Sequence, residues 1–277
     1  MADAALQEVL RRDRLVVASA LLLVTALCWA YLVGLASRMH DPGTMGMGAG
    51  GMDAMGMASM APGVAPWTPA EFALAAAMWT VMMIGMMTPS VAPMVLLYAR
   101  VGRQAAAQGR PFAAAGWFAG GYLLSWAAFA LLAAATQGAV EGALAVPLSM
   151  TGLPGVLGGV VLAAAGLYQW TPLKNSCLAQ CQAPLLFIQR HGGFRGDPAG
   201  ALRLGVRHGL YCVGCCWALM ALLFVGGVMN LLWVGALTAL VLLEKLVPPR
   251  FRLSRLAGAG LVAAGVLLTI RALAPVV

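Results

Sequence analysis

Charge is what this sequence has least of. Asp and Glu together number nine in 277 residues, lysine occurs only at Lys174 and Lys245, and charged residues of all kinds make up 9%. An ordinary soluble domain carries about 25%. With 62% apolar residues, the chain cannot cover its own surface with charge. That excludes a water-soluble globular enzyme and a disordered chain. Neither lysine stands in a G-x-x-x-x-G-K-[ST] loop, so no P-loop ATPase is present. No His-x-x-x-His or Cys-x-x-Cys-His pair offers a haem site. No Asp or Glu is expected in the middle of a span, which removes carboxylate-lined paths for protons or hard cations. Glu244 and Lys245 fall near a helix end, where they are expected to pair with each other.

What is present is apolar length. Seven stretches suffice to cross a bilayer, near 15–37, 70–99, 112–137, 153–171, 208–227, 230–247 and 255–274. The fifth and sixth are split at Gly226-Gly227-Val228-Met229-Asn230, which reads as a turn. The first run is longer than a signal-peptide core and is read as a retained anchor. With the N-terminus inside, 15 of the 17 basic residues fall on inner segments, leaving only Arg38 and Arg271 outside. The net charge of +8 is therefore read as the positive-inside rule and not as nucleic-acid binding. The expectation is a single all-α domain over 1–277: a polytopic helical bundle of about seven spans, N-terminus in and C-terminus out. Gly116-x-x-x-Gly120, Gly155-x-x-x-Gly159 and Gly205-x-x-x-Gly209 permit close helix approach.

The Met/Gly-rich outer loop, 38–69, has its own chemistry. Residues 39–60 hold seven methionines: Met39, Met45, Met47, Met52, Met55, Met57 and Met60. Thioether sulfur is soft, neutral and needs no deprotonation, so it suits Cu(I) and not Zn, Mg or Ca. In the second span Met78, Met82 and Met86 recur at i, i+4, i+8, with Met83 and Met87 one position on. They form one helix face. Packing explains an isolated methionine pair, but five in ten residues beside a methionine-rich loop read as a thioether ladder. Pro89 and Pro93 follow and are expected to kink the helix.

Cysteines gather at the other side. Cys177-x-x-x-Cys181 follows the fourth span, and His208, Cys212, Cys215 and Cys216 share one face of the fifth. In a reducing compartment such thiols read as a metal or redox site, not as structural disulfides. Arg203, Arg207 and Lys174 are the cations expected near them. Cys28 stands alone in the first span.

The strings MWTVMMIGMMTPSVAPMVLLY, YQWTPLKNSCLAQCQAP, GVRHGLYCVGCCWALMALLFVGGVMNL and VLLEKLVP resemble the DUF2182 family of bacterial integral membrane proteins. That family is described as predicted metal-binding. The resemblance runs from the first span to Pro248, and HGLYCVGCCWALM is its most specific part. It implies site residues at Met83, Met87, Lys174, Cys177, Cys181, His208, Cys212, Cys215, Cys216, Glu244 and Lys245, and it names neither metal nor reaction.

The leading expectation is Cu(I) handling in the bacterial inner membrane: capture by the outer methionines, passage along Met78–Met87, and delivery to the Cys/His cluster. The partners expected are the lipid bilayer and a periplasmic copper protein or cuproenzyme, with an oligomer allowed. Two other readings stay open. One is a thiol–disulfide or electron-transfer protein using Cys212 and Cys215; the other is a non-catalytic assembly subunit.

Overall fold

The computed structural model describes residues 2–40, 67–109, 112–144, 148, 152–153, 155–248 and 251–274, with side chains in the first helix from 15 to 38. Met45, Met47, Met52, Met55, Met57 and Met60 lie outside the described residues, as does most of the loop that carries them.

The described residues are helical, with no strand among them. The order is α1 (Ala2–His40), α2 (Pro69–Ala107), α3 (Ala115–Leu144), α4 (Gly155–Tyr168), α5 (Pro172–Gln182), α6 (Pro184–Arg190), α7 (Pro198–Ala221), α8 (Leu223–Gly226), α9 (Leu231–Leu246) and α10 (Leu253–Leu273). Local sequence explains most of the starts. Thr68 and Glu71 form a capping box before Pro69. Thr171 before Pro172 and Asp197 before Pro198 cap α5 and α7 with a side-chain oxygen. Asn230 caps α9, after a turn in which Gly227 takes a left-handed φ of 83°.

Among the described residues, five helices are long and apolar enough to cross a bilayer: Leu15–Arg38, Pro69–Ala107, Ala115–Leu144, Pro198–Gly226 and Leu253–Leu273. Gly155–Tyr168 and Pro172–Gln182 make a sixth if taken together, bent by 65° where Thr171-Pro172 restarts the helix. The stretch expected at 230–247 becomes α9, with 16 residues. At about 1.5 Å per residue that is about 24 Å, short of a hydrocarbon core of about 30 Å. Apolar side chains such as Leu22, Leu132, Leu210 and Leu267 stand exposed on these helices, as a lipid-facing surface requires. α2 runs as one α-helix through Pro89 and Pro93.

Two of the three glycine pairs make close contacts. A Cβ at Gly205 would lie 2.0 Å from the Phe118 carbonyl oxygen, and one at Gly209 2.6 Å from Ser125 Oγ, so α7 lies against α3 with both running the same way. A Cβ at Gly159 would meet Thr269 Oγ1 at 2.2 Å, and one at Gly155 would meet Ala272 Cβ at 2.7 Å, which docks α4 antiparallel to α10. Gly116 has nothing within 4 Å and Gly120 only Leu202 Cδ1 at 4.0 Å. Gly205→Val is therefore expected to destabilise the protein by about 1–3 kcal/mol or more through overpacking, while Gly116→Ala is neutral. Thermal denaturation of the detergent-solubilised variants measures the difference.

Candidate metal centre

α7 presents His208, Cys212, Cys215 and Cys216 on one face, and all four are buried. The restart at Thr171-Pro172 turns α5 toward that face and brings Cys177 and Cys181 with it. The sulfurs of Cys181, Cys212 and Cys215 all lie within 4.8 Å of one another. A trigonal metal with metal–sulfur bonds of about 2.3 Å separates its ligands by about 4.0 Å, so slight contraction makes this group a three-sulfur site. Soft thiolate donors of this kind select Cu(I), Zn or iron–sulfur centres over hard cations. Cys177 and Cys216 stand beside the trio. A Cβ added at Gly214 would come within 2.9 Å of Cys177 Sγ, so the glycine makes room for that thiol. The thiols of Cys215 and Cys216 both donate to the Cys212 carbonyl, at 3.1 and 3.0 Å.

The cation at the thiols is Lys245, not Lys174 or an arginine. Its Nζ donates to Cys212 Sγ at 2.9 Å and to Ser90 Oγ at 2.8 Å. Glu244 and Lys245 do not pair with each other, because consecutive helical side chains do not face one another. Glu244 Oε2 instead accepts from Lys174 Nζ at 2.6 Å, and both side chains are buried. Gln182 Nε2 donates to the Glu244 carbonyl at 2.7 Å, fixing the end of α5 against the end of α9. Arg203 and Arg207 line a separate cavity with His191, Arg195 and Asp197. Three thiolates around one monovalent metal ion would carry a net charge of −2. Lys245 offsets half of it, and the Lys174–Glu244 pair adds none.

Tyr122 completes the surroundings. Its hydroxyl lies 3.1 Å from Cys212 Sγ, 3.3 Å from Ser90 Oγ and 3.3 Å from the Met87 carbonyl, to which it donates. Sequence reasoning missed Tyr122 and Ser90; a tyrosine in an apolar helix and a serine between two prolines are the only signals they give.

The methionine stripe ends at this place. Met82, Met83, Met86 and Met87 are each 1% exposed or less, and Met78 is half-buried. Ser90 Oγ donates to the Met87 carbonyl at 2.8 Å, so the last turn of the stripe touches the group that holds Lys245. Met220, eight residues after Cys212, is buried on the same face of α7 and was not picked out from the sequence. Neither ring nitrogen of His208 joins the three sulfurs in the group whose atoms all lie within 4.8 Å of one another. Its ring packs against Phe187, Phe118 and Tyr122, with centroids 4.9, 5.8 and 5.8 Å away, and its Nδ1 has no hydrogen-bond partner. Cys28 packs toward Gly85 on α2, away from the other thiols.

A family model described as PpoB2, a copper chaperone, matches residues 76–268. The chain belongs to the PpoB2 copper chaperone family. No curated protein and no solved structure matches it. The PpoB2 match takes in the methionine stripe, both cysteine segments and the Glu244–Lys245 pair of residues, and it leaves out α1 and the methionine-rich loop. The resemblance seen in the sequence implies an unspecified metal; the PpoB2 family is described by copper.

Proposed function

We propose that this protein carries copper as Cu(I), bound by Cys181, Cys212 and Cys215, within the bacterial inner membrane. The three sulfurs within 4.8 Å of one another carry the reading. Thiolate coordination favours the monovalent ion, and the Lys245 ammonium offsets half of the loaded site's charge. Cys177 and Cys216 support the trio from beside it, and His208 acts through Tyr122, which it packs against and which reaches Cys212 Sγ.

The supply side is the methionines. Met45, Met47, Met52, Met55, Met57 and Met60 capture copper outside the membrane. Met78, Met82, Met83, Met86 and Met87 pass it inward, from weaker thioethers to stronger thiolates. Charge supports this orientation: Arg100, Arg103, Arg203 and Arg207 lie toward the thiol end of α2 and α7, as inner ends do. The N-terminus is then inside, and the chain forms one membrane domain over 1–277. A periplasmic copper protein or cuproenzyme is the exchange partner.

Protein purified anaerobically under reducing conditions is expected to bind one tight equivalent of Cu(I) per chain, measured by mass spectrometry and competition with a Cu(I) chelator. A protein that takes up no Cu(I), or holds Zn(II) more tightly, sinks the proposal and redirects effort to trapping an oxidised Cys212–Cys215 pair in cells.

A further inference from the structure

At the opposite end of the methionine stripe from the thiols sits a carboxylate that pairs with no cation among the described residues. Glu141 is the one charged residue between Arg110 and Lys174. It lies on the last turn of α3 and is 7% exposed. Its Oε1 accepts from Gln137 Nε2 at 2.9 Å and from the Leu148 amide at 3.0 Å. Gln137 Oε1 in turn accepts from Trp79 Nε1 at 2.7 Å. Trp79 is buried on α2 between Met78 and Met82–Met83, so the carboxylate is tied to the head of the stripe by two hydrogen bonds. No ion pair joins Glu141 to a cation among the described residues.

A buried carboxylate that no described cation balances is costly, and such residues in membrane-spanning helices mark ion pathways. The stripe explains what the charge is for. Thioethers coordinate a soft cation but carry no charge, so a monovalent metal among them enters a low-dielectric interior uncompensated. The thiols supply negative charge at one end of α2. From Trp79 to Met87 is eight residues, about 12 Å of helix, and Glu141 reaches the Trp79 end of that stretch through Gln137.

We infer that Glu141, held by Gln137 and Trp79, is the entry station for a monovalent soft metal cation, supplying the charge that the methionine stripe lacks. The inference rests on the thiol site proposed above.

The test uses the full chain in sealed vesicles of each orientation. Cu(I) is added to one face, and the rate at which it protects Cys212 and Cys215 from a permeant maleimide is followed. Glu141→Gln keeps an oxygen to accept both hydrogen bonds and removes the charge. It is expected to slow loading from the Glu141 face about tenfold and leave loading from the thiol face unchanged. Glu141→Asp, which keeps the charge, is expected to load within about threefold of wild type. Equal rates for wild type and Glu141→Gln overturn the inference, as does a slowing from both faces or an Asp variant as slow as the Gln variant. Wild-type protein whose thiols are never protected overturns the thiol site itself, a distinguishable failure.

Discussion

Cys212→Ala is expected to lower Cu(I) affinity by well over a hundredfold, more than the about 10–100-fold that changes around a metal's direct ligands produce. Cys212 holds a central position. Its sulfur belongs to the trio, its carbonyl receives the thiols of Cys215 and Cys216, and both Lys245 and Tyr122 reach its sulfur. Removing it leaves two thiols on different helices and a buried lysine with Ser90 as its remaining hydrogen-bond partner. Cys181→Ala and Cys215→Ala are expected to follow closely. Cys28→Ala is expected to bind as wild type, because that residue packs against α2 away from the site. Competition with a Cu(I) chelator reads all four. Equal affinity in Cys212→Ala and wild type removes the trio from consideration.

The second large effect concerns folding. Lys174→Met is expected to destabilise the protein by about 3–5 kcal/mol, because Glu244 is left charged, buried and unpaired. Glu244 already has one oxygen, Oε1, without a partner, so losing Lys174 strips the carboxylate of its only side-chain donor. The double variant Lys174→Met/Glu244→Leu is expected to recover most of that loss, since an apolar pair replaces a buried ion pair at little cost. Chemical denaturation in detergent measures both. The double variant then separates two roles: a recovered fold with weakened copper binding shows that the ion pair positions α5, and with it Cys181, as well as stabilising the bundle.

Much of this was legible in the sequence, for physical reasons. Apolar length and a 3.6-residue period are one-dimensional signals, so the helices and the shared face of His208, Cys212, Cys215 and Cys216 could be read directly. The turn at 226–230 was visible because glycine and asparagine do what few other residues can. Three-dimensional pairing was not visible. Glu244 and Lys245 are neighbours in the chain, and only the 100° turn between successive helical residues sends one to Lys174 and the other to Cys212. Glu141 was placed beyond the end of its span because hydropathy alone does not show where a helix stops. The stretch expected at 230–247 is matched by α9 to within one residue at each end, because the Asn230 cap and the end of the apolar run are both written in the sequence.

The splitting of the thiol trio between α5 and α7 has a consequence for the stability of the chain itself. Cys181 and Cys212 are 31 positions apart, and an ion held by both closes the intervening segment into a loop. Cargo then acts as a removable cross-link. A ligand present at 100 times its dissociation constant adds about 2.7 kcal/mol to a fold that alone binds it. On the proposed function, the loaded chain is accordingly harder to unfold than the empty one, and release of the metal removes that cross-link.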